Sequence, residues 1–137
     1  MNPELQYLIT ARDIVIDANS GEPILIRVFD TVFIPKGQET IVYSFSVGGR
    51  IFLNATGIVN SQVKIRLLDP DNQEVRTEIL NGGRVNAAIG VNINAQFFFV
   101  PFKREGKYSF EVYVNMNGGE FIKVDSLLAH LWVKKLV

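Results

Sequence analysis

Apolar residues recur at every second position along much of this chain, the spacing of strands that keep one face in a core. In the clearest stretch Tyr108, Phe110, Val112 and Val114 alternate with Ser109, Glu111, Tyr113 and Asn115. Asn117-Gly118-Gly119 then supplies turn chemistry, and a return strand is expected through Phe121–Val124. Ile41, Tyr43, Phe45 and Val47 alternate with Val42, Ser44 and Ser46; Gly48-Gly49 ends or bends that strand, and Ile51-Phe52-Leu53 can continue it. Val63, Ile65 and Leu67 alternate with Lys64 and Arg66 before Asp69-Pro70-Asp71-Asn72, the strongest turn signal in the chain. Glu74–Leu80 returns, so 63–80 reads as a second hairpin closed by Asn81-Gly82-Gly83.

Other stretches are less regular. Leu5–Ile16 reads as a strand from its Ile14-Val15-Ile16 run, and a loop follows to Pro23. Ile24–Ile34 is apolar on both parities and carries Asp30. It is either covered twice or shifts its inward parity at a bulge near Asp30, and the bulge is preferred because an inward Asp would be costly to desolvate. Val91–Val100 is expected to be a strand that becomes covered on both sides near its end, where Phe98 and Phe102 break the polar parity, although Val85–Gly90 could equally be a loop over an open sandwich edge. The last segment, Leu127–Val137, fits helical spacing through Leu127, Leu128 and Leu131, but its Val-rich end favours a strand at about 128–136.

Roughly eight or nine strands separated by turns predict an all-β fold. Two antiparallel sheets packed as a sandwich explain why so many strands have one apolar side, with immunoglobulin-like, jelly-roll-like and lipid-binding-domain-like strand orders all open.

Composition narrows the functional classes. A chain of 137 residues fits one domain, and 47% hydrophobic against 20% charged residues is a globular balance. Fourteen basic residues offset fourteen acidic ones, so no global field draws in nucleic acid or an anionic membrane. With no Cys, disulfides, thiol nucleophiles and thiolate metal sites are excluded. No signal-peptide pattern or long apolar run is present, which makes a cytoplasmic protein the expectation; Asn54-Ala55-Thr56 matches a glycosylation sequon of little meaning without secretion.

Candidate chemistry is sparse. His130 is the only histidine, so a multi-His metal site is impossible. A Ser–His–Asp arrangement would need one of Ser20, Ser44, Ser46, Ser61, Ser109 or Ser126 and an acid such as Asp125, yet no G-x-S-x-G elbow presents any of these serines. Asp69 and Asp71 could join Asp13, Asp17 or Asp30 around calcium, but turn and strand-end roles explain them as well. Nothing among the fourteen acids selects a glycosidase pair. Gly48-Gly49-Arg50 and Gly82-Gly83-Arg84 combine flexible backbone with a cation but lack the phosphate-loop pattern, so turns or bulges are the better reading. Tyr43, Phe98, Tyr113 and Trp132 are conceivable stacking platforms, while most of the Phe should fill the core.

Several phrases look familiar together: Ala11-Arg12-Asp13-Ile14-Val15-Ile16-Asp17, then Leu25-Ile26-Arg27-Val28-Phe29-Asp30 and Pro35, with Tyr43-Ser44-Phe45, Val63–Asp71 and Gly106-Lys107-Tyr108-Ser109-Phe110. In these pieces the chain resembles an uncharacterised family of small bacterial and phage-associated β-sandwich proteins. Where that family's usual phrase is Gly-x-Phe followed by Asp or Glu, this chain has Arg27-Val28-Phe29-Asp30. The resemblance implies an all-β fold and supplies no catalytic residue.

The expectation is therefore a β-sandwich without catalytic, cofactor-binding or metal-ligating residues, acting as a protein-interaction or structural module. A small-ligand or carbohydrate-binding sandwich and a hydrolase with an unrecognised site are the alternatives. A protein partner or a second copy is expected, and neither nucleic acid nor membrane. Trp132 and Leu136 are the candidate interface, because they share the parity opposite Leu131 and Val133 and would leave an apolar face for a C2 partner to cover.

Overall fold

The computed structural model describes residues 2–124 and 130–137. The described residues form β1 (Glu4–Ile16), β2 (Pro23–Val28), β3 (Thr31–Ile34), β4 (Ile41–Phe52), β5 (Ile58–Leu68), β6 (Glu74–Asn86), β7 (Val91–Phe102), β8 (Gly106–Met116), β9 (Ile122–Val124) and β10 (His130–Lys135). A four-stranded sheet has the order β2-β1-β4-β7, and a six-stranded sheet the order β3-β10-β8-β5-β6 with β9 also pairing β8. The fold is thus all-β with two sheets sharing one core. One ladder departs from the antiparallel expectation: β3 and β10 run parallel, with Trp132 opposite Thr31 and Lys135 opposite Ile34. Residues 128 and 129, expected to begin the last strand, lie outside the described residues.

Alternation builds the core as read from the sequence. Phe45, Val47, Ile51, Ile93, Ala95 and Phe97 point in from one sheet, and Val63, Ile65, Leu67, Phe110, Val112, Val114 and Leu131 from the other; each is buried. The Phe45 and Phe97 rings stack at 5.2 Å, and Phe110 meets both edge-on at 6.4 and 5.9 Å. These rings hold the two sheets together through the large apolar area that aromatic side chains remove from water. Tyr108 is buried as well, and its hydroxyl is satisfied by donating to the Arg104 carbonyl at 2.9 Å.

The turns behave as their residues require. Asp69 Oδ1 accepts from the Asp71 and Gln73 amides at 2.8 and 3.0 Å while Asn72 takes φ 61°, closing the β5–β6 hairpin. Asn117 and Gly118, both at positive φ, carry β8 toward its return strand β9. Gly48-Gly49 bends nothing out of register: β4 continues to Phe52, and a Cβ on Gly49 would sit 2.6 Å from the Tyr7 carbonyl oxygen, so glycine lets β1 approach closely.

Three expectations are corrected. Ile24–Ile34 is not one strand with a bulge at Asp30. The chain leaves the four-stranded sheet after Val28 and enters the six-stranded sheet at Thr31; in β2 Leu25 is half-buried while Ile24, Ile26 and Val28 are exposed, and in β3 Val32 and Ile34 are buried while Phe33 is exposed. Phe29 plugs the crossing, edge-on to Tyr43 at 5.6 Å and Phe45 at 6.0 Å, and Asp30 stays exposed. Asn81-Gly82-Gly83 does not close the second hairpin; β6 runs on to Asn86 through a bulge opposite Ser61 and Gln62. Finally, β7 is not covered twice at its end. Phe98 and Phe99 are exposed on a bulge where Phe99 takes φ 52°, its amide donating to Ser44 Oγ at 2.9 Å and both carbonyls accepting from Arg76.

Candidate interaction surface

Only the first part of β1 belongs to the body of the four-stranded sheet. Glu4–Ala11 pair with β4, whereas Asp13–Ile16 pair only with β2, so residues 12–27 form a two-stranded arm. Directly opposed residues of an antiparallel pair share a face. Ile14 and Leu25 form one such pair and rest on the outer side of β4, where a Cβ added to Gly48 would lie 3.0 Å from Ile14 Cδ1 and 3.5 Å from Leu25 Cδ2. Glycine at that position lets the arm seat. The loop at its tip is tied by Asp17, whose Oδ1 accepts from the Asn19 and Ser20 amides, and these hydrogen bonds hold its pKa below the usual carboxylate value.

With the underside occupied, the other face of the arm is left to solvent. Val15 and Ile24 are opposed across it and are 46% and 48% exposed; Ile26, opposite Asp13, is 42% exposed. Val28 at the base continues this face, Ile16 near the tip is exposed on the parity of Ile14, and Arg12 and Arg27 flank a shallow depression beside Ile26. Among the described residues β2 pairs with β1 alone, so its outer row of backbone groups is an open edge. Pro23 at its start and Arg27 at φ 55° are its only interruptions of regular strand geometry. A contiguous apolar face beside an open edge is a surface that a second chain can cover by packing and by strand pairing.

The signal for this arm is present in the sequence, though the pattern alone does not separate an arm from a strand covered on both faces. Ile14-Val15-Ile16 and Ile24-Leu25-Ile26 are apolar on both parities, more than one buried face needs.

The expected interface residues lie elsewhere. Trp132 faces outward from β10, 43% exposed, with Leu131 and Val133 buried on the opposite parity. β10 is interior to its sheet, between β3 and β8, so its backbone edges are occupied. Phe33, on the neighbouring strand, is exposed with it, and Leu136 is exposed just past the strand, its amide donating to the Ile34 carbonyl at 2.9 Å.

His130 lines a cleft of about 370 Å³ with Thr10, Phe29 and Asp30 at the point where the chain crosses between sheets. Its Nδ1 has no hydrogen-bond partner among the described residues, and burial, followed by the Lys107 charge, lowers its pKa. The Thr10 hydroxyl is committed to the Phe29 carbonyl. Asp125 and Ser126, the nearest sequence candidates for a triad, lie outside the described residues.

The remaining candidates have local occupations. Asp13, Asp17, Asp30 and Asp69 each accept a hydrogen bond within their own turn or strand end, and Asp71 pairs with Arg104. No group of three or more His, Asp or Glu able to hold a metal ion occurs among the described residues. Arg50 of the first Gly-Gly-Arg donates to Asn92 Oδ1 at 2.8 Å and to the Ile89 carbonyl. Tyr113 lies under the Lys64 ammonium at 4.5 Å, beside an ionic cluster in which Glu111 meets Arg66 and Lys123 at 2.8 and 2.9 Å. Tyr43 is spent on Phe29, so the four aromatics considered as a platform do not share one.

None of the described residues forms a helix long and apolar enough to cross a membrane. No protein-family model matches this chain, and no curated protein is similar to it at a significant level.

Proposed function

We propose that this chain is a non-catalytic protein-interaction or structural module whose contact surface is the β1–β2 arm. The observation that carries the reading is the outward face of the arm, where Val15, Ile24 and Ile26 are exposed together beside the open edge of β2. Left bare, such a face invites aggregation; covered by a partner, it supplies the apolar centre of an interface. The body of the fold is the scaffold that holds the arm out, through Ile14 and Leu25 on Gly48. Replacing Ile24 and Ile26 by Lys tests this. The variant should keep the wild-type unfolding curve yet be lost from the complex that wild type forms at native abundance, measured by sedimentation in extract. A variant that remains in the complex refutes the assignment.

A self-pairing reading is favoured separately by Trp132 and Phe33, exposed on adjacent strands of the other sheet. A C2 contact there would bury both rings of each copy. Of the strand orders considered, we favour the jelly-roll kind, because β4 and β7 pair in one sheet around the β5–β6 hairpin of the other.

A further inference from the structure

On the outer surface where β3, β10 and β8 run side by side, rings and lysines stand next to one another. Val32 and Ile34, Leu131 and Val133, and Tyr108 and Phe110 are buried, so the alternate residues of all three strands face outward. The register then sets Trp132 against Lys107 of β8, and Phe33 against Lys134 of β10. Trp132 is 43% and Phe33 49% exposed, and both lysines are exposed. The two ring-bearing positions are offset by one strand spacing, about 4.8 Å, and two residues of rise, about 6.6 Å.

The charge of this surface is one-sided although the whole chain is neutral. Neither Lys107 nor Lys134 forms an ion pair among the described residues. The carboxylates at its margin are tied to their own surroundings: Asp30 Oδ1 accepts the Thr31 hydroxyl, Glu105 Oε1 accepts the Lys135 amide, and Glu111 meets Arg66 and Lys123. His130, also outward on β10, is held below its usual 6.5 by burial and then by the Lys107 charge, so at pH 7 it is neutral and the lysines supply the cations. Exposed ring faces with a cation opposite each are complementary to a chain of phosphates that carries flat bases, since bases stack on rings and phosphates meet ammonium groups. A duplex keeps its base faces hidden and would leave both rings unused. A membrane is met by side chains that project from a tip, whereas Trp132 and Phe33 stand on paired strands of a sheet.

We propose that this face binds single-stranded nucleic acid, with Trp132 and Phe33 stacking on bases and Lys107 and Lys134 taking phosphates. The site lies on the other sheet from the arm and does not depend on the arm's role. It is the surface that self-pairing through Trp132 would cover, so the two occupants compete.

Trp132 is the only tryptophan of the chain, so stacking on it is read directly as quenching of its emission. An oligothymidylate of about twelve nucleotides, titrated into about 1 μM full-length protein, should quench saturably with Kd on the order of 10 μM at low salt. The logarithm of the binding constant should fall against the logarithm of salt concentration with a slope of about −1.4, as for two phosphates of a single strand, and Lys107→Gln or Lys134→Gln should each remove about 0.7 of it. Phe33→Ala, an exposed position, should keep the wild-type unfolding curve and weaken binding at least about fivefold. The duplex with oligoadenylate, polyphosphate and phosphatidylserine vesicles should each bind at least about tenfold more weakly. No saturable quenching, equal affinity for the duplex, polyphosphate or the vesicles, an unaltered salt slope in both lysine variants, or wild-type affinity in Phe33→Ala would overturn the proposal.

Discussion

Truncating Phe110 to Ala removes the ring that meets both aromatic anchors of the opposite sheet. Phe110 is 4% exposed and lies edge-on to Phe45 and Phe97, with Leu67 opposite it on β5. Phe→Ala changes in cores cost ~3–5 kcal/mol through lost transfer energy and the cavity left behind. Two edge-on ring contacts contribute ~0.5–1.5 kcal/mol each within that loss. How far the cavity collapses decides the value. Phe45 and Phe97 are stacked on each other at 5.2 Å and are 2% and 0% exposed, so neither can swing into the space without breaking its own contacts. A loss of about 4 kcal/mol is therefore expected. A chain of this length holds ~7–20 kcal/mol, so the variant should fold but with little reserve. Urea unfolding followed by fluorescence should show the midpoint falling by roughly 1.5–3 M at an unchanged slope. A loss below about 1 kcal/mol would refute the argument that this ring bridges the sheets.

Other outcomes follow from single positions. Gly49→Ala places a Cβ 2.6 Å from the Tyr7 carbonyl oxygen and 2.8 Å from Leu8 Cδ1, so the β1–β4 ladder must shift; a loss of ~1–3 kcal/mol in the same assay is expected, and a neutral result would contradict the close approach. The Glu111 pKa is lowered from 4.5, first by Lys123, so its contribution to stability is present above the unfolded-state value and is lost as pH falls through the lower folded value. His130, lowered from 6.5 by burial, acts with the same sign at higher pH: stability falls as pH drops from 6.5 toward its folded value. Unfolding midpoints across pH should flatten in the lower window for Glu111→Gln and in the upper for His130→Gln, and unchanged profiles would remove both assignments. Light scattering over a concentration series tests the Trp132 face: a dimer that Trp132→Lys converts to monomer is expected, and a wild-type monomer at tens of micromolar would end that reading.

Where alternation was strict, the fold was legible. β8 apart from Tyr113, the middle of β4, and Val63–Leu67 of β5 carried apolar residues on one parity, and the Asp69–Asn72 turn carried a side chain that acts on its own backbone while Asn117–Gly118 took the positive φ their residue types allow. Where both parities were apolar, one pattern had several physical causes. In Ile24–Ile34 it arose because each of the two strands leaves one apolar face to solvent, Ile24, Ile26 and Val28 in β2 and Phe33 in β3, and at Phe98 because a bulge turns the ring out to solvent. Gly82-Gly83 resembled a turn because the same absence of Cβ serves a bulge pressed against Ser61. The arm was hidden because its underside rests on Gly48 while its other face stays exposed, and no local pattern reveals which of two apolar faces will find a cover within the chain.

The claim that the arm is a protein-contact surface is tested most directly by placing a photo-cross-linking amino acid at Ile24 in the full-length chain, expressed at native level in its source cells. The same residue at Ile79, 57% exposed on the six-stranded sheet, serves as the control. Irradiation should yield a discrete adduct from position 24, either a second copy or another protein, that is absent from position 79 and lost when Ile26→Lys is added. No adduct at position 24, or the same adducts from both positions, would contradict the account.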